Sequence, residues 1–230
     1  MKTNPDNLQV LFEDNHILMV NKRAGDIVQG DKTGDMPLSD IAKIYLKNKY
    51  NKPGNVFLGV VHRIDRPTSG LVMFAKTSKA LTRLNEMLKQ KKIDKTYWAI
   101  VKNKPEKPAG TLIHYLKKNP RNNKTTVYDH PQSGAKKAVL HYKHIASSDN
   151  YHLLEINLET GRPHQIRAQL AKIGSPIKGD LKYGFPRSNP DGGISLHARR
   201  IKFRHPVKKE LIEIEAALPE TDIWQVFDHS

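Results

Sequence analysis

The chain reads as an α+β protein, and three observations predict it. Short runs with the period of a β-strand recur along its whole length, at residues 8–12, 17–20, 71–76, 95–101, 139–145, 151–158, 195–203 and 211–217. Segments with apolar residues at helical spacing lie among them, near residues 37–46, 79–91 and 163–173. The longest apolar runs reach four or five residues, far short of the roughly 20 a membrane-spanning helix needs.

With 230 residues, the chain fits one large domain or one domain with appendages, and 37% apolar residues suffice for a core. Lys and Arg number 39 against 23 Asp and Glu, a net charge of +16. Such an excess repels itself in the folded state, so a polyanionic partner is expected. No long basic amphipathic helix stands out, which favours nucleic acid over a membrane surface. There is no cysteine, which removes disulfides and thiolate metal sites and suits a reducing cytoplasm. The opening residues 1–6 hold no apolar stretch of signal-peptide type. No internal repeat, low-complexity tract or domain linker is evident, and the chain is read as a monomer.

The runs at 8–12 and 17–20, separated by Glu13-Asp14-Asn15-His16, predict a hairpin. Residues 22–34 are polar, carry three glycines and read as loop. Pro37 opens a helix at its first position, with Leu38, Ile41, Ala42, Tyr45 and Leu46 as the buried stripe. Residues 71–76 read as a strand. Ser78 is the expected N-cap of a helix over 79–91, with Leu81, Leu84, Met87 and Leu88 facing inward. In 95–101, Tyr97, Ala99 and Val101 share one face of a strand. Residues 102–137 hold four prolines and many lysines, among them Lys117, Lys118, Lys124, Lys136 and Lys137, and read as strand, long loop, strand. That segment is either a solvated loop or an RNA-contacting insertion. Pro163 starts a helix running to about Ile173 and closed by Gly174, with Ile166, Leu170 and Ile173 buried. Trp224 and Phe227 pack a short C-terminal helix.

Two stretches carry chemistry. His62-Arg63-Ile64-Asp65-Arg66-Pro67-Thr68-Ser69-Gly70 lies between two apolar runs and reads as a loop slung between strands. Its one carboxylate, Asp65, sits between two arginines, and positive neighbours keep a carboxylate ionised, as a nucleophile or base requires. The ordinary alternative is a turn in which Asp65 caps Thr68 or pairs with Arg66. The second stretch is Thr160-Gly161-Arg162-Pro163-His164-Gln165-Ile166-Arg167, whose helix start offers free N–H groups and a positive dipole end to a phosphate or to the Asp65 carboxylate.

The first string resembles the signature loop of the RluA-type RNA pseudouridine synthases, with Ile64 in place of their Leu. The second resembles the same family's Thr-Gly-Arg-x-His-Gln-Ile-Arg motif, followed here by Gly179-Asp180 and Tyr183-Gly184. Lys95-Thr96-Tyr97-Trp98-Ala99 is similar to the family's tyrosine motif, and Leu196-His197-Ala198 with His205-Pro206 to its ending. Val20-Asn21-Lys22 and Gly25 resemble the opening motif, where Arg23 stands in place of the usual Pro. No function is attached to that opening stretch.

The resemblance spans about residues 8–219. It implies a single catalytic domain over residues 1–230, with a bent, largely antiparallel mixed sheet flanked by helices and loops. No separate N-terminal RNA-binding domain is expected. It implies isomerisation of specific uridines in ribosomal or transfer RNA, after the base is flipped from its stack. Asp65 acts on the sugar, either as nucleophile at the anomeric carbon or as base at carbon 2′. Arg167 pairs with Asp65, Tyr97 stacks under the uracil, Ile166 lines the base pocket and Arg63 fills the space left by the flipped base. Arg162 and His164 are read as substrate contacts, and His62 as an orienting residue of the substrate site rather than the general base. No cofactor, metal or membrane partner is implied. A catalytically inert RNA-binding or ribosome-assembly protein on the same scaffold is the rival. A metal-dependent nuclease using Asp65, Glu159 and Asp180 finds no support in their spacing.

Overall fold

A computed structural model describes residues 2–31 and 33–227 of the chain. Lys32, within the predicted loop at 22–34, and the last residues of the predicted C-terminal stretch lie outside the described residues. The chain divides into two compact units, Met1–Lys95 with Ala198–Pro219, and Thr96–His197 with Glu220–Ser230.

In the first unit, β1 (Val10–Glu13) and β2 (Ile17–Lys22) form the expected antiparallel hairpin. Its turn closes because the Asp14 carboxylate accepts the N–H groups of His16 and Ile17 at 2.7 and 2.8 Å. Strand β2 pairs with β4 (Ser69–Ala75), and the apolar run at 57–61 contributes only the two-residue β3 (Gly59–Val60) beside β4. Helix α1 (Leu38–Lys49) lays Leu38, Ala42 and Leu46 against Leu18, Val20, Val72 and Phe74, all fully buried. Pro37 is the residue before this helix rather than its first, because its extended ψ of 151° lies outside the helical range.

Helix α2 (Ser78–Lys89) is capped by Thr77, not Ser78: the Thr77 hydroxyl accepts the Ala80 N–H at 3.1 Å. After β5 (Ile93–Val101), β6 (Ala109–Asn119), β7 (Lys124–Tyr128), β8 (Lys136–Ser147) and β9 (His152–Leu158), the chain returns to the first unit. It does so in β10 (Leu196–Arg204), which pairs antiparallel with β11 (Leu211–Glu215).

In the second unit the strands run β5-β9-β8-β6-β7, each neighbour antiparallel. The segment read as a long loop is thus largely a hairpin, with β6 and β7 joined by a tight turn at 120–123. Helix α3 (Gln165–Lys172) begins two residues later than Pro163. Gln165 explains the delay: its side-chain oxygen accepts the Thr160 hydroxyl at 2.8 Å and the Arg162 N–H at 3.0 Å. Residues 160–164 are thereby folded into a loop, and His164 takes a left-handed φ of 53° at the helix entrance. Gln169 fixes α3 to the sheet by donating to the Leu112 carbonyl at 3.2 Å and to the His114 ring at 2.9 Å. The C-terminal turn appears as α4 (Asp222–Gln225), with Trp224 and Phe227 buried.

Candidate active site

In the first unit, the Asp65 loop is held by its backbone. The Thr68 N–H donates to the main-chain carbonyl of Asp65 at 3.0 Å, closing a turn around Arg66 and Pro67. Arg66, which the ordinary alternative paired with Asp65, reaches the Asp35 carboxylate at 2.6 Å. Arg63 is exposed. His62 is tied to β4, its Nε2 accepting the Met73 N–H at 3.2 Å. Nε2 therefore carries a lone pair and Nδ1 the proton. Burial, and after it the charge of Lys95, pulls the His62 imidazole down to about 3, which keeps it neutral.

Sequence reasoning missed the residue that grips this loop. Lys22 is 1% exposed, and its ammonium donates to the carbonyls of Arg23, Asp26 and Arg66 at 2.9, 2.7 and 3.0 Å. Gly25 N–H adds a second bond to the Arg66 carbonyl at 2.9 Å. Burial pulls the Lys22 ammonium down to about 7, while the charges of Asp26 and Asp65 oppose that fall. Three carbonyls facing Nζ leave no room for a lone pair, so this geometry holds the charged form. The signal was present: Lys22 is in phase with Leu18 and Val20, on the core side of β2. A lysine on a buried stripe needs a partner.

Gly70 sets the other end of the loop. Its φ is +108°, and a Cβ there would stand 2.6 Å from the Ala198 nitrogen, with the Ala198 carbonyl oxygen closer still. Only glycine allows that approach.

The second unit supplies the remaining predicted residues. Tyr97 is buried on β5 opposite Ile156, and Ile166 is buried on α3. Arg167, 5% exposed, is clamped by Asp180: Nε and Nη2 donate to the two carboxylate oxygens at 2.7 and 2.8 Å. Its guanidinium also lies over the Tyr183 ring, 5.1 Å from the centroid. A planar fork fits both contacts, which lysine could not make together. The Tyr183 hydroxyl accepts the buried Thr125 N–H at 2.8 Å and lies 2.9 Å from Nδ1 of His164. Burial pushes the Tyr183 phenol up, so it keeps its proton. Arg162 donates through Nε to the Lys137 carbonyl at 3.0 Å.

Asp180, Tyr183 and Thr125 carry no signal of their partnership, because they lie 13, 19 and 58 residues from the groups they serve. Both Asp180 oxygens are taken by Arg167, which speaks against Asp180 as a metal ligand. Among the described residues, no group of three or more His, Cys, Asp or Glu side chains is placed to share a metal ion. No helix among them is long and apolar enough to cross a membrane.

These motifs define an enzyme class. The chain matches the family model described as RNA pseudouridylate synthase over residues 16–172, and it belongs to that family of isomerases. It is 36% identical over 214 residues to the uncharacterized RNA pseudouridine synthase YhcT of Bacillus subtilis, covering 92% of this chain and 69% of that one. It is 31% identical to ribosomal large subunit pseudouridine synthase D of Zymomonas mobilis, covering 93% of this chain and 70% of that one. Among solved structures, human RNA pseudouridylate synthase domain containing 4 superposes with a TM-score of 0.79 at 22% identity, covering 96% of this chain and 92% of that one. That likeness shows the fold, an α+β architecture on an open, mixed and mostly antiparallel sheet with four helices.

Proposed function

We propose that this enzyme converts uridine to pseudouridine in large-subunit ribosomal RNA, with Asp65 as the catalytic carboxylate. The relatives named for the large ribosomal subunit support the substrate. The observation that carries the site is the Asp65 loop itself, its backbone held by Lys22, Gly25 and the close approach at Gly70. A catalytic group needs such a rigid support to keep a productive geometry.

In this reading the target uridine leaves its stack and Arg63 fills the gap. Asp65 attacks the anomeric carbon or takes the proton from carbon 2′, and the bond from N1 of the base to the sugar breaks. The uracil turns over Tyr97, within a pocket lined by Ile166, and rejoins the sugar through carbon 5, displacing Asp65 from carbon 1′ in the first route or with Asp65 returning the proton to carbon 2′ in the second. Carbon 5 then loses its proton while N1 gains one, so no cofactor enters the balance. Arg167, held in place by Asp180 and Tyr183, takes the role the family resemblance assigns it, keeping the catalytic carboxylate ionised. Arg162 and His164 hold flanking phosphates, and His62 shapes the loop as a neutral hydrogen-bond acceptor.

The test is pseudouridine mapping of total RNA from cells with and without the gene. The expected result is a large-subunit site lost on deletion and restored by wild type but not by Asp65→Asn. Restoration by Asp65→Asn would refute the role of Asp65, and a lost site in transfer RNA would refute the substrate.

A further inference from the structure

The open face of the hairpin that replaces the expected loop has no part in the reading above, and its composition is unusual. Strands β6, β7 and β8 carry Lys117, Lys118, Lys124, Lys136, Lys137 and Lys143 and not one Asp or Glu. One face of this three-stranded sheet is covered. Leu116, His114, Ala138 and Thr125 are buried there, with Gln169 of α3 bonded to His114 and Thr125 bonded to the Pro163 carbonyl.

The opposite face is open. Register places Tyr128, Tyr115 and Lys137 in one row across the three strands, because Tyr115 is opposite Tyr128 on one side and Lys137 on the other. The next row toward the hairpin tip pairs Lys117 with Thr126. The row on the other side holds Ile113, which is 51% exposed. Residues directly opposite in a ladder project from the same face. Lys117 and Lys137 are exposed and the two tyrosines half-buried. Lys117 is also steadied by donating to the Ser133 carbonyl at 3.0 Å.

Two aromatic rings on an open sheet, flanked by lysines and borne on strands without a carboxylate of their own (Glu159 on the same side is held by His141 at 2.7 Å), match the chemistry of unpaired RNA: bases stack on the rings and the phosphates meet the ammonium groups. A duplex buries its base faces and would use only the charge. We infer that this hairpin face is an accessory site for a single-stranded RNA segment, centred on Tyr115 and Tyr128 and bordered by Lys117 and Lys137. The inference rests on the reading of the chain as an RNA-modifying enzyme, and it adds a contact that none of the catalytic residues makes.

The experiment measures binding of the full chain to a labelled single-stranded oligouridylate and to an RNA duplex of equal length, across a salt series. Cooperative urea unfolding checks that each variant folds. Tyr115→Ala with Tyr128→Ala is expected to weaken single-strand binding by about 25-fold or more, since each stacked base is worth about fivefold or better, and to leave duplex binding nearly unchanged. Tyr115→Phe with Tyr128→Phe keeps the rings and is expected to keep the affinity. Lys117→Glu with Lys137→Glu is expected to flatten the slope of log affinity against log salt by about 1.4 for the single strand. Unchanged single-strand affinity in the alanine pair, or equal losses for strand and duplex, would overturn the inference. A wild-type chain that binds no oligouridylate overturns it too, whereas pseudouridine mapping with wild type tests the enzymatic reading on its own.

Discussion

Replacing Lys22 with Met is the most direct probe of how the Asp65 loop is held. Methionine keeps the buried stem but removes an ammonium shared by three carbonyls. The Arg66 carbonyl retains its bond from the Gly25 N–H at 2.9 Å, and the Arg23 carbonyl a long one from the Asp26 N–H at 3.4 Å. The Asp26 carbonyl loses its Lys22 bond with no main-chain donor among the described residues to replace it. One orphaned buried acceptor costs about 1–3 kcal/mol, and two weakened ones about 0.5–1.5 kcal/mol each. Removing a buried charge returns part of this, so a net loss of about 2–4 kcal/mol is expected. Two bonds converge on the Arg66 carbonyl, next to Asp65, so the loop shifts as well. Pseudouridine formation should then slow by roughly ten- to hundredfold while RNA affinity stays within about twofold. Urea unfolding and initial rates of pseudouridine formation at matched RNA saturation give the two numbers. A variant within about 0.5 kcal/mol of wild type, with an unchanged rate, would refute the claim that Lys22 supports the loop.

Other perturbations separate causes in the same way. Gly70→Ala meets both a positive φ and the Ala198 backbone, so it should cost more than about 3 kcal/mol. Gly25→Ala, with φ +94° but open space around the new methyl, should cost only the torsional share of about 1–2 kcal/mol; thermal midpoints of the two variants make the comparison. The His62 imidazole is held below its unfolded value of about 6.5, so the unfolded chain takes up the proton first as pH falls. Its contribution is complete above about pH 6.5 and is lost as pH drops toward 3, and His205, also held low by burial, acts in the same direction. His62→Gln, which can still accept the Met73 N–H, should therefore lose about 1–2 kcal/mol less than wild type between pH 7 and pH 5, as read from urea midpoints. Tyr183→Phe orphans the Thr125 N–H and should cost about 1–3 kcal/mol.

What the sequence revealed follows from how local each signal is. The β1–β2 hairpin and helix α1 were legible because their apolar periods are complete within a dozen residues. The β6–β7 hairpin was hidden because Leu112, Ile113, Tyr115 and Leu116 put apolar groups on both faces, which erases the alternation that marks a half-buried strand. The late start of α3 depends on one side chain, Gln165, reaching back to Thr160 and Arg162, and proline periodicity carries no trace of that. The Asp65 and Arg167 strings were found by their resemblance to a known family. Asp180 and Tyr183, which hold Arg167, became apparent only as distances, whereas the place of Lys22 on a buried stripe was there to be read.

The fork between Arg167 and Asp180 has a thermodynamic consequence for the reaction proposed above. A free arginine side chain carries roughly 2 kcal/mol of rotamer entropy, which is normally surrendered when a ligand arrives. Here two hydrogen bonds to a buried carboxylate and a stacking tyrosine immobilise that side chain as the chain folds. The ordering cost therefore falls on the stability of the second unit, and in the reading proposed above the guanidinium is already in place when the reaction begins. Loosening the fork would move that cost into the reaction itself, so a protein that is as stable as before could still turn over more slowly.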